Sequence, residues 1–261
     1  MRVLVISNQK GGVGKTTTAI SLGAALVEHG QHVLIIDLDP QANATSGLGI
    51  TKNSAIYGVL LKEQPIKEAV AHTELEGLDL IPSGPDMAGA EVELVPVMAR
   101  EFRLRDALRA AADSYDTVIV DCPPSLGLLT VNALAAGDGV VVPVQCEYYA
   151  LEGLAQLLGT IEAVRQRLNS GLEVLAIVLT MEDRRNRLSM QVIEEVRKHF
   201  PKLVARTRIP RTVRLAEAPS HGKPISVYDP ESRATKAYSE LAFEIEGRMK
   251  ARQPIALAGS A

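Results

Sequence analysis

Lys10-Gly11-Gly12-Val13-Gly14-Lys15-Thr16-Thr17 is the stretch on which the reading of this chain turns. Ahead of it, Val3-Leu4-Val5-Ile6 is an apolar run that predicts a buried strand over 2–7. Behind it, Thr18-Ala19-Ile20-Ser21-Leu22-Gly23-Ala24-Ala25-Leu26 predicts a helix over 15–29. A strand, a glycine turn and a helix N-terminus together make a phosphate site. Bare glycine backbone lets several N–H groups converge on phosphate oxygens, and the helix dipole adds positive potential. In such a loop Lys15 neutralises the β- and γ-phosphates and the Thr16 hydroxyl ligates Mg²⁺. The stretch departs from Gly-x-x-x-x-Gly-Lys-Ser/Thr at one place: Gln9 stands where the first glycine belongs, and a second lysine, Lys10, lies inside the loop.

Working outward, the chain alternates apolar runs with helical patterns. Strands are predicted at 2–7, 32–37, 78–81, 117–121, 139–143 and 174–180. Helices are predicted at 15–29, 98–112, 125–136, 150–169, 186–199 and 231–250. Hydrophobic residues make up 46% of the 261, but aromatics only 3%, so Leu, Val, Ile and Ala must fill the core. That composition suits a mostly parallel, twisted sheet with helices on both faces, the α/β class. The expected layout is a single phosphate-loop domain over 1–252 and a disordered tail over 253–261. No signal peptide and no apolar run of membrane-spanning length is visible, which predicts a cytoplasmic protein. Cys122 and Cys146 lack Cys-x-x-Cys spacing and read as reduced, buried thiols.

Two more strand ends carry acids. Val33-Leu34-Ile35-Ile36-Asp37-Leu38-Asp39-Pro40-Gln41 places Asp37 and Asp39 two apart, on one face, where an open α/β sheet binds its ligands. Thr117-Val118-Ile119-Val120-Asp121-Cys122-Pro123-Pro124-Ser125 is an apolar strand that ends in Asp121. It reads as a Walker B element, with Asp121 holding Mg²⁺ through water. Asp37 supports either the loop or the metal shell, and Asp39 is a second candidate for Mg²⁺ through water. The polar Asn43-Ala44-Thr45-Ser46-Gly47 has the make-up of a nucleotide-sensing switch.

The loop with its extra lysine resembles the deviant Walker A motif of the ParA/MinD superfamily of dimeric ATPases. The resemblance extends to Leu38-Asp39-Pro40-Gln41-Ala42-Asn43-Ala44-Thr45-Ser46-Gly47, to Asp121-Cys122-Pro123-Pro124-Ser125 and to Leu179-Thr180-Met181. It is most specific, for the Soj-like chromosomal branch, in Ile209-Pro210-Arg211-Thr212-Val213-Arg214-Leu215-Ala216-Glu217-Ala218-Pro219-Ser220. The family implies ATP and Mg²⁺ as cofactors, with ATP cradled by residues 10–17: Lys10, Gly11, Gly12, Val13, Gly14, Lys15, Thr16 and Thr17. It implies that Lys10 reaches the nucleotide of a partner subunit, that Asp39 polarises the attacking water, and that Met181 and Pro210 lie near the adenine. It implies a homodimer when ATP is bound, non-specific duplex DNA bound through Arg185 and Arg214, and a ParB-like protein that stimulates hydrolysis. Cargo partition and a nucleoid-associated location follow from the same likeness.

Charge supports the DNA expectation independently. The chain carries a net −3, yet residues 184–223 hold 11 Lys/Arg against Glu194, Glu195 and Glu217. Such a block fits phosphate contacts, and Arg208 and Arg211 are further candidates within it. It lacks the aromatic interleaving of a single-strand binder, so duplex backbone is the better target. Three competitors share features of the loop. A MinD-type membrane regulator needs a basic amphipathic C-terminal helix, whereas Arg252-Gln253-Pro254 brings a helix-breaking proline, so no stable membrane association is expected. An ATP-dependent ligase such as dethiobiotin synthetase needs neither Lys10 nor the basic block. A relative of nitrogenase iron protein needs cluster-ligating cysteines, and neither cysteine has that context. The chain also begins at its first strand, with no helix-turn-helix ahead of it, so no operator-specific repression is expected.

Overall fold

The computed structural model describes residues 1–111, 113–147, 150–183 and 185–251. The predicted tail over 253–261 lies outside the described residues. Strands β1 (Arg2–Ile6), β2 (Val33–Asp37), β3 (Ala71–His72), β4 (Leu78–Ile81), β5 (Thr117–Asp121), β6 (Gly139–Gln145), β7 (Glu173–Glu182) and β8 (Val204–Pro210) form one sheet. Their order is β3-β4-β2-β5-β1-β6-β7-β8. Every neighbouring pair is parallel except β3 with β4.

The strands are continuous apolar runs because both faces are buried. In β1, Val3 and Val5 pack into one core while Leu4 and Ile6 pack into the other. The period of two divides β2 and β5 in the same way. One face is covered by α3 (Ala55–Leu61), α4 (Met87–Leu94), α5 (Arg103–Leu108), α6 (Leu128–Ala136), α7 (Ala150–Arg167) and α8 (Arg187–His199). The other is covered by α1 (Lys15–Glu28), α10 (Ile225–Tyr228) and α11 (Arg233–Ala251). Two short helices, α2 (Asn43–Gly47) and α9 (Val213–Glu217), sit in connections. Helix α1 leaves β1 on one face, and α6 returns to β6, beside β1, on the other. The crevice between these crossovers opens at the carboxyl end of β1, and such a switch point is where open α/β sheets bind ligands.

Several elements differ from the sequence expectation, among them the short strand β3 and the small helices α3, α4, α9 and α10. The helix expected over 98–112 is a 3₁₀ turn (Arg100–Phe102), then α5, then a second 3₁₀ turn (Arg109–Ala111); position 112 lies outside the described residues. Tertiary contacts impose this break. The Asn132 side chain on α6 donates to the Arg100 carbonyl at 2.8 Å and accepts from the Leu104 amide at 3.2 Å. The expected helix over 125–136 begins only at Leu128, because Gly127 is extended. Strand β8 was not expected at all. It lies at the sheet edge, where Arg206, Thr207 and Arg208 interrupt the apolar run.

Candidate functional site

The carboxyl edge of the sheet gathers most of the chemistry-bearing residues. The loop between β1 and α1 turns sharply, with φ of 74° at Gly12 and 89° at Gly14, where a side chain would be strained. The amides of Gly11, Gly12, Val13 and Gly14 donate to no acceptor among the described residues. The first helical turn is meanwhile closed by the Thr18 amide on the Gly14 carbonyl at 2.8 Å. A row of unpartnered N–H groups leading into a 14-residue helix is a built anion cradle.

Lys15 stands at the head of that helix, 7% exposed. Its ammonium donates to the Lys10 carbonyl at 3.2 Å, so it folds back over its own loop. Burial lowers its pKa, while the Asp121 and Asp39 carboxylates favour its charge. A cation already stripped of water meets an incoming phosphate with little further desolvation cost.

The three acids have different surroundings. Asp37 accepts from the Thr45 hydroxyl at 2.7 Å, the Thr45 amide at 2.9 Å and the Asp39 amide at 3.1 Å. Burial pushes its pKa up to about 6 against those three hydrogen bonds. The Thr45 hydroxyl also accepts from the Ser83 amide at 2.9 Å, and the Ser83 hydroxyl donates to the Asp39 carbonyl at 2.8 Å. Asp37 thus ties the 39–45 segment to the end of β2, and Ser83, just beyond β4, ties it further. The Asp39 carboxylate accepts only from the Gln41 amide, at 3.0 Å, leaving acceptor capacity free among the described residues.

Asp121 is fully buried, and neither carboxylate oxygen has a hydrogen-bond partner among the described residues. Burial first, and then the Asp37 charge, push its pKa well up; the nearby Thr16 hydroxyl and Lys15 favour its ionised form. An orphaned buried carboxylate is costly unless a cation completes it. A hydroxyl and a carboxylate form the hard-oxygen set that Mg²⁺ takes, directly or through water. The residues present therefore fit a magnesium site.

Lys10 points out of the loop, and its ammonium pairs with Glu147 at 2.9 Å, with both side chains roughly half exposed. The Gln145 amide orients Glu147 at 2.6 Å. On β7, next to β6, Met181 adopts φ of 54°, rare for a side chain of its size. Glu182 pairs in register with Pro210, so Met181 and Pro210 come to adjacent strand ends.

The basic block follows. Asn186 caps α8, accepting from the Leu188 amide at 3.0 Å. Arg185 and Arg211 are exposed and form no ion pair with a described residue. Arg214 pairs with Glu217 at 3.1 Å and Asp229 at 3.4 Å. Arg208 is half buried and bound by the Glu182 carboxylate, so it presents less free charge than the sequence suggests. Position 184 lies outside the described residues. Thr45, Ser83, Glu147 and Thr180 are site-shaping residues to which the sequence reading gave no individual role. Of these only Thr180 and Thr45 fell within motifs that it quoted. Cys122 and Cys146 are buried thiols whose ionisation burial suppresses, with Cys146 pushed up to about 11. Open surface clefts of about 260 and 380 Å³ lie at the opposite edge of the sheet, around Arg2 and Met249. No described helix is long and apolar enough to cross a membrane.

An AAA domain family profile matches residues 1–174. The chain is 55% identical over 247 residues to the sporulation initiation inhibitor protein Soj of Bacillus subtilis, covering 94% of this chain and 98% of that one. It is 54% identical over 258 residues to the chromosome partitioning protein ParA of Caulobacter vibrioides, covering 97% of each. The chain belongs to the ParA/Soj family of partitioning ATPases. In structure it resembles a cobyrinic acid a,c-diamide synthase from Mycobacterium smegmatis, solved with an ATP analogue and magnesium. That likeness has a TM-score of 0.85 and 39% identity over 98% of both chains. The ParA/Soj ATPase reading thus meets a loop, a buried lysine and an orphaned acid arranged for nucleotide.

Lys15→Ala is expected to abolish tight Mg²⁺·ATP binding, because it removes the desolvated cation from the anion cradle. Calorimetric titration checks this, and an unchanged affinity would overturn the phosphate-loop assignment.

Proposed function

We propose that this ATPase partitions DNA by an ATP-gated dimer. The observation that carries the proposal is the pairing of an anion cradle with a second, outward-facing lysine on one open edge. ATP and Mg²⁺ are its cofactors. The amides of residues 11–14 and Lys15 bind the β- and γ-phosphates, Thr16 and Asp121 hold Mg²⁺, and Met181 and Pro210 flank the base. Held there, Mg²⁺ would supply positive charge to offset that developing on the phosphoryl oxygens. Asp39 has free acceptor capacity, so it orients the attacking water and takes part of its proton charge.

Lys10 is held only by an exposed ion pair, of a kind worth about 0.2–1 kcal/mol. It exchanges Glu147 for the nucleotide of a second subunit when two loops face each other. Each dimer then pools two basic surfaces, and avidity makes its hold on duplex DNA far tighter than that of a monomer. Contacts to phosphates alone read no sequence. A ParB-like protein stimulates hydrolysis, the dimer dissolves, and DNA is released.

Lys10→Ala is expected to keep nucleotide binding and lose the ATP-dependent dimer, as seen by light scattering on a sizing column. A normal dimer peak would sink the sandwich arrangement. Asp39→Ala should bind ATP, turn it over very slowly and accumulate as that dimer, because it loses a contact made mainly in the transition state. Full turnover would move the catalytic role elsewhere.

The DNA half rests on Arg185, Arg211 and Arg214. Arg185→Glu with Arg214→Glu should abolish DNA binding while the ATP dimer persists. Arg208→Glu should do less, because Arg208 is already engaged by Glu182. Wild-type affinity should fall steeply with salt, at about 0.9 in log K per phosphate neutralised, or a slope magnitude of roughly 3–4 for two arginines on each of two subunits. Gel shifts with ADP, ATP and no nucleotide supply the comparison. Equal binding by wild type and the double variant would leave the basic block a solvated face.

A further inference from the structure

Thr180 lies at the end of β7, 167 residues from the phosphate loop in sequence, yet its hydroxyl donates to the carbonyl of Val13 inside the loop at 2.8 Å. Thr180 is 2% exposed. Its methyl group also lies 3.9 Å from where a Cβ on Gly14 would stand. Among the described residues, no other side chain from outside residues 8–17 hydrogen-bonds the backbone of residues 11–14.

That bond fixes more than one atom. The Val13–Gly14 peptide is a rigid plane in which the Val13 C=O and the Gly14 N–H point in opposite directions. A hydroxyl that pins the carbonyl toward β7 turns the Gly14 N–H away from β7, where it has no acceptor. Gly14, at a φ of 89°, places no side-chain restraint on one side of this peptide, so its orientation is not fixed by local sterics alone. A flipped peptide would present a carbonyl oxygen to an incoming anion.

We propose that Thr180 is a positioning residue for nucleotide binding, its hydroxyl holding the Val13–Gly14 peptide so that the Gly14 amide faces the phosphates. The proposal rests on the reading of residues 10–17 as a nucleotide loop. It does not depend on the dimer or on DNA. Thr180 is followed in β7 by Met181 and Glu182. Cys146, at the end of β6, donates its amide to the Thr180 carbonyl at 3.4 Å. The brace therefore joins the loop to the strand ends that carry the proposed adenine contact and the Lys10 partner.

The test is Mg²⁺·ADP affinity by calorimetry for wild type, Thr180→Val and Thr180→Ser, with thermal midpoints of the nucleotide-free proteins alongside. Valine keeps the shape and removes the hydroxyl; serine keeps the hydroxyl and leaves a methyl-sized gap. Affinity should fall about 5- to 10-fold in the valine variant, the scale of one hydrogen bond, and stay near wild type in the serine variant. The thermal midpoint should drop in the serine variant despite its normal affinity. A role in packing alone predicts instead that affinity follows the midpoint in both variants, and that result would overturn the proposal. So would wild-type affinity in the valine variant. If valine prevents folding, a serine variant with weakened affinity is by itself enough to overturn it, and one with wild-type affinity at a lowered midpoint supports it. Wild-type protein that fails to bind Mg²⁺·ADP would instead sink the nucleotide reading.

Discussion

The phosphate loop turns on the amides of residues 11–14, which have no acceptor among the described residues. Backbone N–H groups are left without acceptors only where something else supplies one. Here the loop is held open by glycine geometry, by the first turn of α1 and by the Thr180 bond to Val13. The cradle is positive before any ion arrives. Lys15, folded over the loop, adds to that potential, and Asp121 and Asp39 partly balance it. In the proposed function a phosphate would complete that balance for the lysine and a cation for the aspartate.

The acids show how burial separates the roles of one residue type. Asp37, Asp39 and Asp121 all end apolar strands or lie just beyond them. Asp37 is satisfied by three donors and holds a segment in place. Asp121 has none among the described residues, the state in which a buried carboxylate suits a cation. Asp39 has one and keeps capacity for water. The differences arise from the neighbouring segments, Thr45 and Ser83 above all, which reach the site from separate stretches of chain.

The basic block is likewise sorted by its neighbours. Of the four arginines singled out along the sequence, Arg208 and Arg214 are engaged by Glu182, Glu217 and Asp229, whereas Arg185 and Arg211 carry no described ion pair. Exposed pairs of this kind are weak, so Arg214 can still exchange its acids for phosphate. The pair of Glu182 with Arg208 is more buried, and replacing it costs more.

Local pattern in the sequence was enough to place the glycine loop, six of the eight strands and the acids at their ends. It was enough because these depend on apolar runs buried on both faces, glycine where φ must be positive, and carboxylates at strand termini. Strand β8 escaped because edge pairing tolerates Arg206 and Arg208, and the helix expected over 98–112 was broken by Asn132 from a later helix. Only the tertiary structure decided that Asp37 clamps a loop, that Lys10 rests on Glu147, that Glu182 occupies Arg208 and that Thr180 braces Val13. Each of these is a contact across 8 to 167 residues. No local pattern encodes such a contact, because it exists only once the sheet order has brought the strand ends together.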